Sequence, residues 1–206
     1  MNKTIVTIGR QFGSGGRYIG KKIAEELGIP FYDKELIEIA AKENGMSPEV
    51  FANIDETASS SFLYSLAMGV NTFGSRVSTL SEMPLTDKLF IAETNTIKKI
   101  ALEGSCVIVG RCADYILADD PNAIHVFIHG KFEDRMTRAI NEYGVPAEKA
   151  ETVVHKTDKK RATYYEFYTS QKWSQVTNYT LCLDSSVLGL DYCVKLIKEV
   201  VENRRK

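Results

Sequence analysis

Five short apolar runs punctuate the chain: TIVTI (4–8), IPFY (29–32), SCVIV (105–109), AIHVFI (123–128) and TLCLD (180–184). Each is too short for a helix and nearly unbroken by polar residues, which predicts strands of a parallel sheet buried on both faces. Between them the period changes to that of a helix. Ile19, Ile23 and Leu27 recur every four residues, Leu89, Ile97 and Ile100 mark a second stretch before Gly104, and Tyr192, Leu196 and Val200 mark the last. Strands alternating with helices predict right-handed crossovers and ligand binding at the strands' C-terminal ends. Two segments depart from the alternation. Residues 55–84 mix Ser, Thr and Gly with Phe62, Leu63, Leu66, Met68 and Phe73, a composition that suits an insertion covering a site or serving as a homodimer or partner surface. Residues 146–172 predict a long charged helix with Arg161 in its middle.

Composition narrows the class without changing this picture. The 206 residues are 44% hydrophobic, with 26 basic against 27 acidic side chains, so one globular domain with a sizeable core is expected. The near balance of charge argues against a nucleic-acid footprint, and no run approaches the length that spans a bilayer. Cys106, Cys112, Cys182 and Cys193 show no C-x-x-C spacing and read as free thiols in a reducing cytoplasm. His125 reads as a strand residue in the core. His129 and His155 have no partner at metal-ligand spacing, so no zinc site is expected.

The candidate chemistry begins at GRQFGSGGRY, residues 9–18. Small residues between a strand and a helix leave backbone N–H groups and the positive end of the helix dipole facing a ligand, as a polyphosphate requires. Arg10, Gln11, Phe12, Gly13, Ser14, Gly15, Gly16, Arg17 and Tyr18 form this candidate cradle. A phosphate loop ordinarily adds a lysine and then a Ser or Thr. With its second glycine on Gly15, Gly16 falls in the lysine position and Arg17 in the next, which makes Arg17 the substitute cation and Arg10 a residue that could reach back over the phosphates. A glycine-rich turn with arginines facing solvent is the structural alternative. VIVGRCAD (107–114) then brings Gly110 and Arg111 to the end of a strand, with Asp114 either beside a ligand or in a helix's first turn. FEDRMTRAI carries Arg135 and Arg138, and HKTDKKRATYY carries Asp158 and Arg161, each pair on one helix face. Asp33 in FYDKELI either faces an acceptor or caps the helix that KELIEIAA predicts. Trp173 and the tyrosines at 164, 165 and 168 read as packing.

These segments together, with NYTLCLDSSVLGLD, resemble the cytidylate kinase-like family, a branch of the P-loop nucleoside monophosphate kinases, almost end to end. The resemblance implies an α/β three-layer fold of P-loop NTPase type, a five-stranded parallel sheet flanked by helices, with a monophosphate-binding insertion at about 34–84 and a lid at about 144–174 in one domain spanning 1–206. It implies ATP and Mg2+ as cofactors and a nucleoside monophosphate or other small phosphorylated acceptor. By the same resemblance Arg17, Arg138, Arg161 and Asp158 are catalytic, residues 10–18 hold the donor, and Arg111, Asp114, Asp33 and Arg135 hold the acceptor. The chain departs from the family's pattern at Gly16 and Tyr18, where lysine and threonine are usual, and at Cys112, where aspartate follows the arginine. A non-catalytic nucleotide-binding or regulatory module is the alternative that these departures leave open.

Overall fold

The computed structural model describes residues 3–33, 35–43 and 84–204. Most of the 55–84 stretch, with its apolar side chains, lies outside the described residues. Two compact units divide the chain: Met1–Asp33 with Ile100–Lys206, and Lys34–Lys99. The described part of the second unit holds the helix α2 (Glu35–Glu43) and most of α3 (Leu85–Glu103).

The first unit is built on five parallel strands, β1 (Ile5–Arg10), β2 (Phe31–Tyr32), β3 (Cys106–Val109), β4 (Ala123–His129) and β5 (Leu181–Asp184), in the spatial order β2-β3-β1-β4-β5. All five predicted runs therefore become strands. β1 extends two residues beyond its apolar run, because Gly9 and Arg10 continue the ladder against Phe127 and Ile128 of β4. The IPFY run shrinks to two residues, paired with Val107 and Ile108.

Alternation along each strand sorts the side chains. Val6, Ile8, Val107, Val109, Ile124, Val126 and Ile128 face one side, where Ile19, Ile23 and Ala24 of α1 (Gly16–Leu27) and Cys193, Val194, Ile197 and Val201 of α8 (Leu190–Arg204) complete a core. α1 stops at Gly28, whose left-handed backbone (φ 62°) turns its N–H back to the carbonyls of Ala24 and Glu25. The opposite face is more polar. There Thr7 Oγ1 and His125 Nδ1 lie 2.8 Å apart, and Trp173 and Tyr179 pack on Phe127 with ring centroids 5.3 and 4.9 Å away. His125 is thus a strand residue with a satisfied ring nitrogen, and burial lowers its pKa. The four cysteines are free.

After β3 comes the short helix α4 (Ala113–Ile116), and after β4 come α5 (Phe132–Asn141) and the long α6 (Ala147–Thr169), within the predicted 146–172. α7 (Ser185–Leu188) follows β5, started by Asp184, whose Oδ1 accepts from Ser186 N at 2.9 Å and Val187 N at 3.4 Å. Connections from β1 and β3 leave toward opposite edges of the sheet, so the crevice between their C-terminal ends is a topological switch point. Arg10 ends one of these strands, and Gly110 and Arg111 follow the other. Among the described residues no helix is long and apolar enough to cross a membrane.

Candidate functional site

The loop between β1 and α1 is held by hydrogen bonds from the elements around it. Gln11 N donates to Ile128 O at 3.0 Å, and Gln11 Oε1 accepts from Gly130 N at 3.2 Å, anchoring the loop to the end of β4. Ser14 is fully buried, and its hydroxyl donates to Gln11 O at 2.9 Å. Loop carbonyls then turn toward α5 and α6. Arg135 Nη1 donates to Phe12 O (3.1 Å), Arg138 Nη1 to Gly13 O (2.6 Å) and Arg161 Nη1 to Arg10 O (3.1 Å). Asp158 completes the clasp by accepting from Phe12 N at 2.6 Å and from Arg135 Nη1 at 2.6 Å.

The first-turn amides of α1 have no partner within the helix. No side chain caps this end and no acidic residue stands in the first turn. Gly13 (φ 78°) is packed so closely that a Cβ there would strike the carbonyl oxygen of Arg135. The arrangement fits an anion, by hydrogen bonding and by dipole.

Five guanidinium groups gather around it from separate elements. Arg161 is half-buried, its Cζ 5.7 Å from the Phe12 ring centroid. Burial lowers its pKa, Asp158, Asp33 and Tyr143 oppose that shift, and the nearby charge of Arg111 adds to it. Arg111 thus belongs to the same cluster. It sits in a turn where Gly110, Arg111 and Cys112 all have positive φ (76°, 58° and 53°), a run that costs about 1–3 kcal/mol for each non-glycine residue and marks a site where the surrounding structure dictates the backbone. Arg17 Nε donates to Asp33 Oδ2 at 2.7 Å, and Arg10 Nη2 lies 3.7 Å from Asp33 Oδ1. Arg138 also lines an open cavity of about 290 Å³ beside the loop, with Asp134, Asn141, Glu142, Ser185 and Ser186.

Three expected site residues are placed differently. Arg135 is buried, and its hydrogen bonds go to Gly130 O at 3.1 Å, to Phe12 O and to Asp158. Tyr18 is half exposed, and its hydroxyl donates to Asp191 Oδ1 at 3.3 Å in the first turn of α8. Asp114 is buried and accepts from Tyr165 Oη at 2.7 Å. That bond reaches from the turn carrying Arg111 to the helix carrying Arg161, one turn beyond each. For Asp33, the carboxylate meets two arginines, Arg17 and Arg10.

The Asp114 pair yields two expectations. Tyr165→Phe should cost about 1–3 kcal/mol of stability in urea unfolding, because a buried carboxylate loses its donor. An unchanged midpoint would show that the bond holds nothing in place. Burial raises the pKa of Asp114 above the ordinary carboxylate value, outweighing the bonds from Tyr165 and from the amides of residues 114 and 115. The protonated form is therefore favoured in the folded state, and stability present in acid is lost as pH rises through the folded value. Asp114→Asn removes this titration, so the variant should gain on the wild type between pH 4 and pH 7; a constant gap would contradict the assignment.

Sequence reasoning overlooked the cavity residues Ser185 and Ser186 as site candidates. Their signal was DSS directly after an apolar strand, a helix-start pattern at the edge where ligands bind. Among the described residues no three His, Cys, Asp or Glu side chains form a group able to hold a metal ion.

Comparisons with known proteins agree with this architecture. An uncharacterized protein from Eubacterium ventriosum ATCC 27560 has a crystal structure 30% identical in sequence, with a TM-score of 0.73 over 97% of this chain and 99% of that one. A gluconokinase from Sinorhizobium meliloti 1021 (16% identity, TM-score 0.53, covering 98% of this chain and 96% of that one) and a shikimate kinase from Bacteroides thetaiotaomicron (14%, 0.52, covering 97% and 99%) share the fold. No curated protein sequence matches significantly. The model of the cytidylate kinase-like family matches residues 5–187, and with the loop and sheet described above this places the chain in that family: it is a member of the cytidylate kinase-like family.

Proposed function

We propose that this protein is an ATP-dependent phosphotransferase acting on a nucleoside monophosphate of the CMP type or on another small phosphorylated acceptor. The observation that carries the reading is the convergence of Arg10, Arg17, Arg111, Arg138 and Arg161, from five places in the chain, around one cradle of main-chain amides. Phosphoryl transfer asks for positioning and for neutralised equatorial oxygens more than for covalent help, and this arrangement supplies both. The amides at Gly15–Arg17 would take the donor's phosphates, and the cavity beside Arg138 has room for part of its nucleoside. Arg111 would meet the acceptor, and Arg138 and Arg161 the charge in transit. An acceptor oxygen bonds to the γ-phosphorus as the bond to the β–γ bridging oxygen breaks, and ADP leaves.

The chain offers magnesium little. Arg17 stands where a hydroxyl ligand is usual, Ser14 Oγ is committed to Gln11 O, and Asp33 is held by arginines. Magnesium would arrive with the nucleotide, ligated by phosphate oxygens and water. In that role it supplies charge neutralisation between the phosphates.

The test is ADP release in the presence of ATP, magnesium and a panel of acceptors headed by CMP. Acceptor-dependent turnover is expected. The glycine at position 16 favours one other reading, a nucleotide-binding regulatory module, which predicts ATP-induced thermal stabilisation with no turnover across the panel.

A further inference from the structure

Position 16 is where the cation of a phosphate loop belongs, and the space its side chain would enter is already filled. A Cβ built on Gly16 would lie 2.6 Å from Arg10 Cβ and 3.1 Å from Arg10 Cγ. The stem of Arg10 therefore runs from the end of β1 along the path that a lysine at 16 would need. Its far end rests on a second glycine. A Cβ on Gly110 would fall on Arg10 Nη1, with Cζ at 2.9 Å and Nη2 at 3.2 Å. Two glycines, one at the start of α1 and one at the end of β3, clear a channel for one guanidinium at the switch point of the sheet. The Arg10 side chain is 21% exposed, against 61% for Arg17.

We propose that Arg10, rather than Arg17, is the phosphate-binding cation of this loop, replacing the lysine absent from position 16, and that Asp33 is the counter-ion which the ligand's phosphate displaces. This rests on the nucleotide-binding reading above and deepens it. Partial enclosure favours Arg10, since a screened, mobile guanidinium gains little from a fixed anion. The distance to Asp33 also suits displacement: 3.7 Å is an ion pair longer than a hydrogen bond, and a planar guanidinium grips a phosphate at two oxygens. The guanidinium is held between the donor cradle and the end of β3, where a transferring group would pass.

ATP affinity, measured by titration calorimetry on the full chain with and without magnesium, tests the assignment. Arg10→Gln keeps the stem and removes the charge, so it is preferred to Arg10→Ala, which risks the packing over Gly16. It should weaken ATP binding at least tenfold, and by more than Arg17→Ala does. The double variant R10G/G16K, which empties the channel and returns a lysine to position 16, should bind ATP at least threefold more tightly than R10G alone. Asp33→Asn should tighten binding severalfold by removing the competing carboxylate. Wild-type protein that binds ATP while Arg10→Gln binds it equally well overturns the role given to Arg10 and leaves the nucleotide reading standing. Wild-type protein that neither binds ATP nor turns it over overturns the nucleotide reading itself.

Discussion

Asp158→Ala is expected to lower unfolding free energy by about 3–5 kcal/mol, a large part of the stability of a protein this size, because it strands the guanidinium of Arg135 without its carboxylate in a buried position. The Arg135 side chain is 8% exposed, and its ion pair with Asp158 is 2.6 Å long. The same change frees Phe12 N, so the loop would loosen at the residue that Arg161 and Tyr143 pack against, the latter with ring centroids 5.5 Å apart. Asp158→Asn keeps an oxygen for Phe12 N but loses the charge, and an intermediate loss is expected. Urea unfolding monitored by circular dichroism would decide the matter, and an alanine variant within 1 kcal/mol of the wild type would show the clasp to be dispensable.

Arg161→Ala should act on chemistry more than on folding. If Arg161 meets the charge in transit, its loss should cut kcat by about a thousandfold or more, the scale set by arginines that stabilise phosphoryl transfer. ATP affinity should fall by much less, since the amide cradle remains. Arg161→Lys is not expected to rescue the rate, because an ammonium cannot donate to Arg10 O and present a second donor in the same plane. Steady-state kinetics with a saturating acceptor provide the measurement; a kcat within tenfold of wild type would reduce Arg161 to a support for the loop, a role its bond to Arg10 O already gives it.

Asp158 and Arg161 show how differently two residues on one helix face can be read. Their spacing placed both on one face of a helix, and that face meets the loop. What spacing could not convey was direction of use. Asp158 bonds a main-chain amide and a buried arginine, whereas Arg161 bonds the loop with one nitrogen and lies among the charges of Arg111 and Asp33. Arg135 and Arg138 repeat the lesson on α5: three residues apart, one is consumed by the clasp and the other lines the cavity.

The pattern of apolar runs was enough for the strands, for the parallel sheet and for the placement of glycines and arginines at its C-terminal edge. These follow from local rules: a run buried on both faces, a helical period, and a loop of small residues between them. The tertiary structure alone decided which groups meet. Tyr165 finds Asp114 across 51 positions of sequence, Tyr18 turns to Asp191 across 173, and Arg10 takes the place of a side chain missing from Gly16 because β1 and the first turn of α1 converge there. Such pairings depend on where folded elements bring their side chains in three dimensions, a quantity that the order of residues along the chain constrains only through the fold.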